Sequence, residues 1–160
     1  MKKLLLLRHA HAEQPEPGMP DIDRPLSERG RAEALEAAEC IAAAGLLCDA
    51  LLVSPALRTR QSAIIVAATL DLTEEPRIEQ AIYLGDPAAL LATLRRCPAD
   101  LTTVMMVGHN PVLSALAQRF KGAPSGLDLR TSGLCAITFA AETAWSALRP
   151  RLASDFKLLR

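Results

Sequence analysis

Aromatic side chains are scarce in this chain: three Phe, one Tyr and one Trp among 160 residues. A base-stacking platform for single-stranded nucleic acid needs more rings than that. A charge surplus is also missing, because 18 Lys and Arg offset 18 Asp and Glu. Without a basic excess, nucleic acid is not an expected partner. No run approaches the roughly 18 apolar residues of a membrane helix. The leucines Leu4 to Leu7 end at Arg8, which is too short for a secretory core of about 7–15 residues. The expectation is a cytoplasmic protein without membrane association. The four cysteines, Cys40, Cys48, Cys97 and Cys135, contain no C-x-x-C pair. That spacing argues against a zinc knuckle or a thioredoxin motif and fits free thiols in a reducing compartment. No glycine-rich dinucleotide fingerprint and no Walker loop occurs.

Half of the residues are hydrophobic, which supports one good core. At this length, with no repeat and no linker, one domain spanning 1–160 is expected. Leu4 to Leu7, Ala50 to Val53 and Leu101 to Val107 read as buried strands. Helical spacing follows Ser27, with an inner face of Leu35, Ala38, Ile41 and Ala42. It recurs at Leu57, Gln61, Ile64, Ile65 and Ala68, over Pro87 to Arg96, and at Val112, Leu113, Leu116, Ala117 and Phe120. Ile78 to Leu84 reads as an irregular extended stretch. Leu134 to Phe139 and Ala144 to Leu148 read as two late strands, and Arg151 to Arg160 is open between helix and tail. Strand alternating with helix predicts an α/β fold, a three-layer α/β/α sandwich on a mostly parallel sheet. Ligands of such sheets bind beyond the carboxyl ends of the strands.

Those ends carry chemistry. The first strand runs into Arg8-His9-Ala10-His11, the second into Ser54-Pro55-Ala56-Leu57-Arg58, the third into Gly108-His109-Asn110-Pro111. Ser54-Pro55 and Asn110-Pro111 each read as an N-cap followed by the first helical residue. A helix start is partly positive, so placing Arg58 and His109 there makes sense if an anion is the guest. Two guanidinium forks suit a phosphoryl group. A neutral histidine beside phosphorus can attack it, positive neighbours keep it neutral, and a carbonyl on its other nitrogen fixes the tautomer.

Arg8-His9-Ala10 resembles the Arg-His-Gly signature of the histidine phosphatase superfamily, with its phosphoglycerate mutase-like fold. Asp23-Arg24-Pro25-Leu26-Ser27 with Gly30, Ser54-Pro55-Ala56 with Arg58-Thr59 and Gln61-Ser62-Ala63, Gly108-His109-Asn110-Pro111, and Thr131-Ser132-Gly133 resemble segments of its small SixA-like phosphohistidine phosphatase branch. The resemblance implies that His9 is transiently phosphorylated and then freed by water. It implies that Arg8, Arg58 and His109 hold the phosphoryl group, without metal or organic cofactor. Ala10 stands where glycine is usual, and Ala12 and Pro15 replace a Thr and an Asn of larger relatives. Ser54, His11 and Arg24 are further candidates for the substrate site, and Arg24, Arg29 and Arg31 for a basic rim. No clear leaving-group acid is visible; Glu79 and Asp86 are the candidates. That gap, with the short chain, points to phosphohistidine on a protein partner, handled by a monomer. Three other readings compete: a phosphomonoesterase or mutase acting on small esters, a phosphoryl-binding module without catalysis, and a metal hydrolase built on His9-x-His11.

Overall fold

The computed structural model describes residues 1–160. Its sheet has six strands: β1 (Lys3–Arg8), β2 (Ala50–Val53), β3 (Arg77–Ile78), β4 (Thr103–Gly108), β5 (Leu134–Thr138) and β6 (Asp155–Leu158). Their order is β3-β2-β4-β1-β5-β6. The ladders among β3, β2, β4 and β1 are parallel, and β5 and β6 add antiparallel on one edge. Five α-helices accompany it: α1 (Glu28–Ala43), α2 (Leu57–Thr69), α3 (Gln80–Leu84), α4 (Pro87–Arg95) and α5 (Val112–Gln118).

Strand periodicity sorts the core into two layers. Leu4, Leu6, Val104 and Met106 face one side with Leu90, Leu94, Leu113 and Leu116 of α4 and α5. Leu5, Leu7, Met105 and Val107 face the other with Ala37, Ala38 and Ile41 of α1 and Ala63 and Val66 of α2. Both faces of β1 and β4 are therefore apolar, which is why those segments read as unbroken hydrophobic runs. The arrangement is the α/β sandwich on a mostly parallel sheet that the sequence predicts.

Several details differ from the sequence reading. Ser27 does cap α1, accepting from the Gly30 amide at 3.0 Å. The buried face, however, is Gly30, Ala34, Ala37, Ala38 and Ile41, with Leu35 and Ala42 turned outward. In α2 the polar residues Arg58, Thr59 and Ser62 lie inside and Ile64 is 60% exposed. The inward polar groups are satisfied locally: Thr59 Oγ1 donates to the carbonyls of Ser54 and Ala56, and Ser62 Oγ accepts from the Ala10 amide at 3.1 Å. Buried polar groups with partners cost little, so the apolar pattern of α2 points to the wrong face.

The late hairpin is also different. Ala144 to Leu148 is not a strand. Residues Trp145–Ala147 form a 3-10 turn, with the Trp145 ring fully buried and its Nε1 donating to the Leu101 carbonyl at 2.8 Å. The partner of β5 is β6, from the stretch that the sequence leaves open. Ile78 to Leu84 splits into the short edge strand β3 and helix α3.

Helix α1 approaches the turn after β1 closely. A Cβ built on Gly30 would lie 1.9 Å from the His11 carbonyl oxygen, and both partners there are backbone. Gly30→Ala is expected to lower stability by about 1–3 kcal/mol, as overpacking does. The check is the urea midpoint of the variant; an unchanged midpoint would mean that α1 does not bear on this turn.

Candidate active site

Strand register builds the site. Arg8 of β1 lies opposite Gly108 of β4. Their successors, His9 and His109, therefore leave adjacent parallel strands together, and the two ring centroids are 5.3 Å apart. Val53 of β2 lies opposite Val107, so Ser54 emerges beside them, its amide donating to the Val107 carbonyl at 3.1 Å. Two further backbone bonds fix the turn that bears His9: its amide donates to the Gly108 carbonyl, and the Ser132 amide donates to the His9 carbonyl. Thr131-Ser132-Gly133 thus braces Arg8-His9 from the β5 side.

The cleft at these ends has a volume of about 490 Å³, and Arg8, His9, Arg58 and His109 all line it. His9 Nδ1 lies 2.7 Å from the Ala10 carbonyl. A carbonyl only accepts, so Nδ1 carries the proton and Nε2 keeps its lone pair. Burial lowers the pKa of His9 to about 4; the Ala10 carbonyl opposes this, and Arg58, Arg8 and Arg24 reinforce it. His9 is therefore neutral at pH 7 and free to act as a nucleophile.

His109 is held on both nitrogens. Ser54 Oγ is 2.7 Å from Nε2, and Arg58 Nη2 donates to Nδ1 at 3.4 Å. With Nδ1 accepting, Nε2 donates to Ser54. Burial, His9 and Arg58 lower the His109 pKa to about 3.

The arginines are anchored by part of each fork. Arg8 Nη1 donates to the Leu129 carbonyl at 3.0 Å. Arg58 donates through Nη1 to the Asp21 carbonyl at 2.8 Å and through Nη2 to Asp21 Oδ2 at 3.0 Å. In both, the buried Nε has no partner. Both guanidinium groups line the cleft, and a guanidinium fork suits an oxyanion.

The structure places the remaining candidates variously. Helix α2 starts at Leu57 with Ala56 before it, and α5 at Val112 with Pro111 before it, so neither Ser54 nor Asn110 is the N-cap that the sequence suggests. Ser54 sits behind His109. Asn110 instead joins Asp128, the Leu129 carbonyl and Ser114. His11 and Arg24 line the cleft. His11 Nδ1 lies 2.7 Å from Ser27 Oγ, and Arg24 bonds Asp21 and the Glu13 carbonyl. Of the proposed basic rim, Arg29 pairs with Glu33 and lies outside the cleft, as does Arg31. Neither acid candidate reaches the cleft: Glu79 pairs with Arg77 and Arg96, and Asp86 caps α4 by accepting from the Ala89 amide.

Two residues that sequence reasoning missed stand in their place. Asp21 and Tyr83 line the cleft, and the Tyr83 hydroxyl donates to Asp21 Oδ2 at 2.9 Å. Tyr83 is the chain's one tyrosine, a signal that was available. Burial works to raise the Asp21 pKa, but hydrogen bonds from Tyr83, Arg58 and Arg24 outweigh it and hold the carboxyl at about 2.

A larger hollow of about 780 Å³ lies near the opposite ends of β2 and β4, lined by Cys48, Asp49, Asp71, Glu74, Glu75 and Asp100 among others. It contains no histidine, and burial pushes the Cys48 thiol up to about 11. Nothing there is poised to react.

The geometry agrees with comparison to known proteins. Residues 4–82 match the model of the histidine phosphatase superfamily (branch 1). An uncharacterized chloroplastic protein of Arabidopsis thaliana is 31% identical over 131 residues, 76% of this chain and 60% of that protein. A solved structure from Agrobacterium tumefaciens, provisionally designated the phosphohistidine phosphatase SixA, has a TM-score of 0.78 at 30% identity. The match covers 86% of this chain and 92% of that one. The protein histidine phosphatase SixA complexed with tungstate shares the fold, with a TM-score of 0.77 at 24% identity over 86% of this chain and 88% of its own.

The depressed histidines give stability a pH dependence. Above about pH 6.5 both are neutral whether the chain is folded or not. Below it the unfolded chain binds protons that the folded site refuses, so stability falls until the pH reaches the folded values of about 4 and 3. Asp21, with a folded value of about 2 against 3.8 ordinarily, stays ionised in both states down to about pH 5 and adds nothing in this upper window. The urea midpoint should therefore be lower at pH 5 than at pH 7, and the gap should shrink in a His9→Ala, His109→Ala double variant. An equal gap in the variant would assign the loss elsewhere.

Proposed function

The chain belongs to the histidine phosphatase superfamily, in its SixA-like branch, and on that premise we propose that it hydrolyses phosphohistidine carried on a protein. The observation that carries this reading is the His9 tautomer. The Ala10 carbonyl takes the Nδ1 proton at 2.7 Å and leaves the Nε2 lone pair to attack, in a cleft it shares with Arg8, Arg58 and His109.

The Nε2 lone pair forms the bond to phosphorus as the phosphorus–nitrogen bond of the substrate breaks. The electron pair of that bond stays on the leaving imidazole. Arg8 and Arg58 bind the phosphoryl oxygens and spread their charge. The bound phosphoryl anion raises the proton affinity of His109; a proton taken from solvent at Nδ1, as Arg58 Nη2 turns to the phosphoryl oxygens, makes that ring a third donor while Nε2 keeps its bond to Ser54. Water then attacks phospho-His9. The second phosphorus–nitrogen bond breaks, its pair returns to Nε2, and the proton lost by water passes to phosphate or solvent. Throughout, the Nδ1 proton on Ala10 lets His9 leave as neutral imidazole rather than as an anion. No metal or organic cofactor takes part, and residues 1–160 act as one monomeric histidine phosphatase domain in the cytoplasm.

Substrate choice rests on the leaving group. An alkoxide needs a proton donor, and neither Glu79 nor Asp86 lines the cleft. Asp21 does, but a carboxyl with a pKa of about 2 has no proton to give at pH 7. Imidazole departs without that help, so small alkyl phosphate esters are poor substrates in this reading.

The test offers the purified protein a phosphohistidine-bearing protein and a panel of alkyl phosphate esters, with EDTA present. Wild type should clear phosphohistidine well ahead of the esters, and His9→Ala should be inactive. Arg58→Ala should lose about 10²–10³-fold in kcat/KM, as when an oxyanion donor is removed. Faster turnover of esters would overturn the substrate reading and leave the nucleophile in place. Retention of phosphate without turnover of anything would make the site a binding module.

A further inference from the structure

We propose that Asp21 and Tyr83 form the leaving-group subsite, where the Asp21 carboxylate accepts the ring proton of the substrate phosphohistidine and so selects nitrogen-linked over oxygen-linked phosphoryl groups. This deepens the proposed function and rests on it.

Direction comes first. In-line displacement sends the leaving group away from the nucleophile. His9 stands where β1 ends, on the floor of the cleft, while the Asp21 side chain is 52% exposed at its rim. A group expelled opposite His9 moves toward the rim. Arg58 links the two levels, with Nη2 at 3.4 Å from His109 Nδ1 and at 3.0 Å from Asp21 Oδ2. A phosphoryl group held on Arg58 and His109 thus has Asp21 as its neighbour on the outer side.

Capacity comes second. An ionised carboxylate offers about four acceptor positions. Arg58 and Tyr83 fill Oδ2, and Oδ1 holds only Arg24 at 3.2 Å. One position on Oδ1 remains for a donor from outside. The charged and titratable groups facing Asp21 are these three, Arg24, Arg58 and Tyr83, together with His109. They keep the carboxylate ionised and aimed. The Tyr83 ring, edge-on to His109 with centroids 5.5 Å apart, gives the imidazole an aromatic wall, and such a face favours a ring that bears positive charge.

Chemistry comes third. If phosphohistidine has lost its ring proton, cleavage must expel imidazolate, a poor leaving group. If the second ring nitrogen keeps its proton, neutral imidazole leaves, and no proton has to move during the step. A carboxylate that accepts from that N–H holds the substrate in the reactive form. Ala10 does the same for His9. The two imidazoles that exchange the phosphoryl group are each kept protonated on the far nitrogen, one by a backbone carbonyl and one by Asp21. An alkyl ester has no such N–H and meets only a negative charge.

The experiment compares wild type, Asp21→Asn and Asp21→Glu on a phosphohistidine-bearing protein and on 4-nitrophenyl phosphate, whose leaving group needs no proton. Inhibition by inorganic phosphate is measured in each. Asp21→Asn should lose about 10- to 100-fold in kcat/KM on phosphohistidine, the scale of a hydrogen bond to a charged group. Its loss on the nitrophenyl ester should be several-fold smaller than on phosphohistidine, so that the ratio of the two kcat/KM values falls, and it should bind inorganic phosphate more tightly, because a like charge has been removed. Asp21→Glu should restore most of the preference. Equal losses on both substrates together with weaker phosphate binding would show that Asp21 only positions Arg58, and would overturn this inference alone. A wild type inert toward phosphohistidine would overturn the proposed substrate and the subsite with it.

Discussion

The parallel pairing of β1 with β4 is the constraint on which the rest of the site depends. The register that sets Arg8 opposite Gly108 fixes where His9 and His109 leave the sheet, and it does so through main-chain bonds. A slip by one residue would turn each histidine to the opposite face. Such a slip is costly because Leu4 and Leu6 pack into one core and Leu5 and Leu7 into the other. The apolar order of the strands therefore protects the polar order at their ends. Helix α2 adds the second coordinate. It lies against the sheet with its polar side inward, and so brings Arg58 into the cleft 7% exposed.

Electrostatics within the cleft are asymmetric. The floor joins two neutral histidines to two arginines whose Nε donors are unsatisfied, while the rim carries one ionised carboxylate. In the proposed reading the floor meets the phosphoryl group and the rim meets the group attached to it. Floor and rim of the one cleft thus differ in charge, and the fold by itself does not decide what the rim meets.

The sequence was most legible where short-range rules apply. Unbroken apolar runs ending in Arg8-His9, Ser54 and His109 identified three strand ends, and the sheet rule said to look there. Ser27 announced the start of α1 by its own capping chemistry. What escaped depends on contacts between distant residues. Asp21 reaches Arg58 and Tyr83, 37 and 62 residues away, and no local pattern encodes that meeting. The inner face of α2 is not legible from its apolar residues, because Ser62 and Thr59 are buried against partners outside their own helix or before it. Trp145 lies buried in a turn, and β6 forms only because β5 offers it an edge. Glu79 and Asp86 show the reverse error, since carboxylates close to the site in sequence are spent on ion pairs and a helix cap.

The His9 tautomer is set by the carbonyl of Ala10, and every residue has a carbonyl. Substitution of the Ala10 side chain cannot delete the acceptor, so this feature is shielded from point mutation in a way that Arg8 and Arg58 are not. Its weak points lie in what holds that stretch of main chain still: Ser62, which binds the Ala10 amide, and Gly30, whose bare Cα lets α1 lie against the carbonyl of His11. Any small side chain that fits at position 10 keeps the acceptor in place, whereas a change at Ser62 or Gly30 moves the main chain that aims it.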